Sequence, residues 1–366
     1  MIRLPCYRWR TFSEQNLWAQ SYERDLSNIL VLQGEVAQAI AREIKVKLTG
    51  EEQTRLASAR TVNPEAYEAY LKGRYYRERW TLDATKRAIE YFQQAIQVDP
   101  NYAEAYAGLA ECYVFPEIDA PRAKEAALKA LEIDGNLGEA HASLAIISCA
   151  VDWDWISAER EFKRALELNP NDANVHHWYS HYLMGMGQTQ ESLAVARRGL
   201  EIDPLSPTMN GSLGEIYLHA RQYDQAIVWL RKTLVLDPDW LPAYSFLGRT
   251  YLYKGMYEEA IATIQNQKQN HVRRALLGYA YAMAGRRAEA MEIIEQMLAL
   301  PKQWTSYRIA TIYAALDEKD QAFYWLEKAY EERHGWLVFL KVEPELDPLR
   351  DDPRFKDLLR RMNFPE

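Results

Sequence analysis

Cysteine is scarce in this 366-residue chain, and Cys6, Cys112 and Cys149 are an odd number without paired spacing. That argues against a disulfide framework and a zinc ribbon, and it fits a reducing, cytoplasmic compartment. Long apolar runs are missing as well. No stretch approaches the roughly 18 residues that span a bilayer, and the arginines near the N-terminus are not followed by an apolar segment, so no anchor or export signal is expected. Positive charge is in deficit: 44 Lys and Arg against 52 Asp and Glu leave a net charge of −8. The basic pairs Arg197-Arg198, Arg273-Arg274, Arg286-Arg287 and Arg360-Arg361 are scattered rather than gathered into a stripe. A nucleic-acid partner for this segment is therefore disfavoured. A phosphate-binding glycine loop and a G-x-S-x-G elbow are both absent. Acidic pairs at Glu51-Glu52, Glu258-Glu259 and Glu331-Glu332 fall on predicted helix surfaces with no partner suited to acid–base work. The expectation is a chain that is not an enzyme and carries no cofactor.

What the chain does have is helix-forming composition, 48% hydrophobic and 26% charged, which suits helices wet on one side and buried on the other. Its length exceeds one ordinary core, so two domains or a repeat array is the starting expectation. The array is favoured by self-similarity at a period of 34. Pro170, Pro204 and Pro238 are 34 apart, as are Gly214 and Gly248, Tyr217 and Tyr251, Tyr223 and Tyr257, and Ala226 and Ala260. Each position has a physical task. Small residues at repeat positions 8 and 20, Gly214 with Ala226 being the cleanest pair, let two antiparallel helices approach closely. The tyrosine at position 11 fills the volume beside them, and the proline at position 32 ends the second helix because it lacks an N–H.

Extending this frame predicts helix pairs starting near Ala66, Ala103, Gly138, Ala173, Pro207, Leu241, Val272 and Lys302, about eight repeats. Gly73, Ala88 and Pro100 mark the first pair, with a longer turn at Arg77–Asp83. Gly278 with Ala290, and then Ala322, mark the last two. The second repeat carries Gly135 where others have proline, so a left-handed glycine is expected to stop its helix. In the eighth, Asp317 replaces the turn glycine found at Gly187, Gly255 and Gly285.

These in-register positions, over about residues 66–333, resemble the tetratricopeptide repeat family. The resemblance implies an all-α, right-handed superhelix of helix-turn-helix repeats over 61–335, acting in protein–protein interaction, with self-association left open. Residues 17–60 are not repeats: Ile29, Leu32, Val36, Ile40 and Ile44 form one apolar helical stripe. Residues 1–60 are similar to the end of the small TolB N-terminal-like α/β domain plus a linker helix, as found before repeats in bacterial multidomain signalling proteins. MIRLPCYRWRTFSEQ itself is not expected to supply that domain's strands. In such relatives a winged-helix, kinase or cyclase domain comes first, so the alternative reading is the sensory half of a regulator whose effector domain is missing from this chain. Residues 336–366, with ELDPLRDDPRFKDLLRRM, resemble the terminal segment of the same group. Asp352 and Pro353 should open a last helix whose apolar face caps the stack.

One cluster invites a metal reading: His176, His177 and His181, with His177 and His181 four apart on one helix face. No HExxH motif and no Cys or carboxylate in ligand spacing completes it, so no metal site is expected. The family resemblance instead places helix A positions on the inner groove, which here gives His177, His181, Glu215, His219, Arg249, Tyr253 and Tyr279. That mixed aromatic and polar row suits an extended peptide, against the alternative of an ordinary wet surface. A Lys and Asn clamp for C-terminal carboxylates is not expected, because those positions carry His177 and His181, Gly211 and Glu215, then Ser245 and Arg249.

Overall fold

The computed structural model describes residues 63–365 except 80, 115–118, 269 and 301–304, together with 2–4 and 22–24. The helical stripe expected over 29–44 lies outside the described residues. Of the two short N-terminal segments, the first departs from the expectation that residues 1–15 supply no strand. Strand β1, Ile2–Leu4, pairs antiparallel with β2, Tyr22–Arg24.

Seventeen α-helices follow among the described residues. Sixteen form eight antiparallel pairs: α1 Pro64–Arg77 with α2 Leu82–Val98, α3 Ala103–Val114 with α4 Ala120–Ile133, and α5 Gly138–Ile147 with α6 Trp155–Leu168. Next come α7 Ala173–Gly185 with α8 Thr189–Ile202, α9 Pro207–His219 with α10 Tyr223–Leu236, and α11 Leu241–Tyr253 with α12 Tyr257–Gln265. The last pairs are α13 Asn270–Met283 with α14 Arg287–Leu298 and α15 Ser306–Ala315 with α16 Lys319–Glu331. These are the stacked helix pairs that the 34-residue period predicts, arranged in the right-handed superhelix that the family resemblance implies. The first helix of each pair packs both on its own partner and on the first helix of the next pair, so odd-numbered helices line the inside. No described helix is long and apolar enough to cross a membrane.

The small positions act as expected. Ala88, Ala226, Ala260, Ala290 and Ala322 are fully buried. A Cβ on Gly214 would lie 2.6 Å from Leu230 Cγ, and one on Gly248 2.5 Å from Ile264 Cγ1, the same contact one repeat later. Gly73 and Gly278 meet Phe92 and Ile293 in the same way. Tyr217 and Tyr251 pack in the core and accept hydrogen bonds from Arg197 (2.9 Å) and Arg231 (2.8 Å), again 34 apart.

Helix termination corrects two expectations. The second helices end two residues before Pro100, Pro170, Pro204 and Pro238, on Asp99, Asn169, Asp203 and Asp237, all outside the helical region, because a residue preceding proline is held out of it. Asp134 does the same with φ −138° although Gly135 follows it, and Gly135 is not left-handed. The turns inside repeats do need a left-handed residue. Gly187, Gly255 and Gly285 supply it with φ of 72° to 80°, and Asp317 (59°) and Arg221 (60°) adopt it without glycine.

After α16 the chain turns into two 3₁₀ segments, Gly335–Phe339 and Pro344–Leu349, and a last helix, α17, Pro353–Arg361. Asp352 caps α17 by accepting from the Arg354 N–H, with Pro353 at the first turn. Leucine at Gly214 should lower stability by about 3 kcal/mol through overpacking against Leu230. Thermal melting followed by circular dichroism checks this; an unchanged midpoint would contradict the close approach of α9 and α10.

Candidate binding site on the inner face

A helix that is amphipathic in a solenoid should leave its inner face wet, yet every residue from Val175 to Gly185 in α7 and from Thr208 to His219 in α9 is buried. The cover comes from the chain itself. Residues 335–350 run along the inner face, so close to α7 that a Cβ on Gly185 would sit 2.7 Å from the Val338 carbonyl oxygen. Only glycine admits that approach. Farther along, Trp155 stacks on Phe364 at 4.5 Å and donates from Nε1 to the Met362 carbonyl at 2.9 Å. Arg333 donates to the Val151 carbonyl (2.7 Å) with its guanidinium 4.1 Å from the Trp153 ring centre. The eighth repeat and its C-terminal extension therefore close onto the third repeat, while α17 also packs on α16 through Arg354 over Phe323 and Arg361 over Tyr330.

An ion cluster fastens this segment. Arg249 of α11 is 1% exposed and pairs with Glu343, and its Nε lies 2.9 Å from Glu345 Oε1; the two carboxylates are 0% and 1% exposed. Arg308 reaches Glu345 at 3.4 Å, the His219 Nε2 lies 3.6 Å from Glu343 Oε2, and the exposed Arg221 pairs with Asp347 at 2.7 Å. Burial alone would raise the Glu343 pKa, but Arg249, His219 and Arg308 overcome it and hold the carboxyl well below the ordinary range.

The seven residues expected on the groove thus divide. Tyr279 is buried, and Tyr253, its ring 6.4 Å from that of Tyr279, stands near the same carboxylates, so both belong with Arg249 and His219 to the surface beneath the C-terminal segment. His177, His181 and Glu215 stay beside open space, which Arg249 also borders. His177 Nδ1 is 2.7 Å from Ser212 Oγ. His181 directs Nδ1 at the His177 carbonyl (2.8 Å) and Nε2 at Glu215 Oε2 (2.9 Å), one repeat on. Burial disfavours charge on both rings. At His181 the Glu215 carboxylate reverses that and raises its pKa, whereas His177 is pushed well below its usual value by burial and by His181. With both His181 nitrogens engaged, the pair has no shared set of free lone pairs for a metal, and no group of three metal-ligating side chains occurs among the described residues.

One functional-looking group escaped sequence reasoning. Glu111 is buried and accepts from Arg77 Nη1 (2.9 Å) and Trp178 Nε1 (3.0 Å), joining the first, second and fourth repeats. Arg77 and Glu111 are 34 residues apart, which is a signal the period could have given. Between these groups and the C-terminal segment lies a cavity of about 420 Å³, reached on one side by Thr81 and Thr85 and on the other by His271 and Arg308.

Models of the tetratricopeptide repeat match residues 82–115, 180–239 and 243–272. The chain carries tetratricopeptide repeats. Solved structures agree at the level of fold. The APC/C hetero-tetramer Cut9-Hcn1 is 15% identical with a TM-score of 0.60, covering 92% of this chain and 63% of that one. The human IFIT1 dimer with m7Gppp-AAAA is 13% identical with a TM-score of 0.53 over 82% and 77% of the two chains. Yeast Tom70 is 14% identical with a TM-score of 0.50 over 81% and 67%. Among curated proteins, 95 residues, 26% of this chain, are 33% identical to the Rhizobium meliloti (strain 1021) protein "Putative adenylate cyclase 3". The chain spans 16% of the length of that relative.

Replacing Arg249 with Met, which leaves Glu343 and Glu345 buried without their principal counter-charge, should cost about 3 to 5 kcal/mol, readable as a shift of the urea midpoint. The Glu343 carboxylate, with its pKa lowered on folding, contributes stability above the unfolded value of about 4.3, and that contribution is lost as pH falls below it. Acid melts should therefore steepen below about pH 4, and Glu343→Gln should flatten that dependence. An identical acid profile for both proteins would contradict the assignment.

Proposed function

We propose that the repeats form a non-catalytic cytoplasmic scaffold that holds a protein or peptide partner on the inner face of the superhelix. The observation carrying this reading is that His177, His181, Glu215 and Arg249, from three successive repeats, converge on space that the C-terminal segment leaves unfilled. Repeat solenoids present extended concave surfaces, and buried aromatic and charged side chains set in such a surface are what a partner's anchor residues engage. The chain's net charge of −8 disfavours a polyanionic partner at this face.

A photocrosslinking amino acid at Thr85 or Ser245, both bordering the opening, should label one defined segment of a single partner in cells. The same group at Val228 or Val235, exposed on α10, should not. Equal labelling from both faces would overturn the placement.

A second reading is favoured by the 95-residue similarity to "Putative adenylate cyclase 3": the repeats are the sensory half of a bacterial transcription regulator, kinase or cyclase. Sequencing the DNA upstream of the Met1 codon in all frames checks it. A winged-helix, kinase or cyclase coding region that joins this one supports the reading, and its absence refutes it.

A further inference from the structure

The cavity under residues 334–339 has a character that partner binding does not require. Its volume, about 420 Å³, lies in the range of sites that enclose small molecules. The walls are rich in rings: Trp178, Trp240, Phe246, Trp336 and Phe339. Trp336 and Phe339 belong to the segment that already runs along the inner face, so one wall of the space is formed by the chain itself.

All but one of its charges are matched within the protein. Arg249 and Arg308 face Glu343 and Glu345, His181 faces Glu215, and Glu332 is followed by Arg333, which reaches away to the Val151 carbonyl. The remaining imidazoles at the wall, His177, His271 and His334, are all shifted toward the neutral form, by burial first and then by nearby cationic groups. An anionic ligand would find no free counter-ion there, and the Glu332 carboxylate, with no ion-pair partner among the described residues, disfavours it further.

We infer that this cavity binds a small aromatic molecule without negative charge, stacked among the tryptophans. The site goes beyond the scaffold reading and stands whether or not a protein partner docks at the opening.

The probes are N-phenyl-1-naphthylamine, which is neutral and fluoresces when desolvated, and its sulfonated counterpart 1-anilinonaphthalene-8-sulfonate, titrated into the full-length chain. The neutral probe should bind saturably at one per chain. Ala275→Phe, filling the chamber from α13, and Ser245→Phe, narrowing it from α11, should each weaken that binding roughly tenfold or more, equivalent to about 1.4 kcal/mol, with the helical circular dichroism unchanged. The sulfonate should bind more weakly than the neutral probe. No saturable binding of the neutral probe, binding that survives in a folded Ser245→Phe variant, or a preference for the sulfonate would each overturn the inference. Failure of these titrations with the crosslinks at Thr85 and Ser245 intact would remove the small-molecule site and leave the scaffold reading standing.

Discussion

Arg249 and the two carboxylates it holds, Glu343 and Glu345, are the constraint on which the inner architecture depends. Each charge has left water at a cost of several kcal/mol, and only close mutual placement offsets it. That placement requires residues 94 apart in sequence to meet, which in turn requires the superhelix to have the curvature that brings the inner face of α11 beneath the chain after α16. Repeat stacking is otherwise a nearest-neighbour affair. The ion cluster, together with the Trp155 and Trp153 contacts to Met362, Phe364 and Tyr330, adds long-range ties that a simple solenoid lacks.

The repeats themselves were legible because their physics is local and periodic. Gly214 and Gly248 meet Leu230 and Ile264 one repeat apart, and such pairs recur in sequence wherever they recur in space. The eighth pair is recognisable without its glycine because Ala310, Ala322 and Leu326 keep the register, and in the structure Asp317 takes the left-handed turn position instead. Gly135 misled for the opposite reason. A stop signal common to five repeats resides in the Asp or Asn before it, and a proline-centred view overlooks that residue.

The inner face was legible only in part. Helix A positions give the correct side of the solenoid, but whether a side chain there is wet depends on what lies over it. Contacts such as Gly185 with Val338, or Arg249 with Glu343, carry no periodicity. Nothing in a 34-residue frame distinguishes His181, beside a cavity, from His219, beneath Phe339 at 5.8 Å between ring centres. The pairing of His181 with Glu215 could have been read, since the two are 34 apart and adjacent on neighbouring helices.

The position of residues 335–364 also imposes an order in time. These residues leave the ribosome after the eight helix pairs, each of which can settle on its predecessor as it emerges. Until Glu343 appears, Arg249 faces water and the nascent superhelix is an open spring, free to flex between its third and eighth turns of helix hairpin. A chain made only as far as α16 would therefore hold its eight helix pairs without the long-range ties of Arg249 to Glu343 and of Trp155 to Met362.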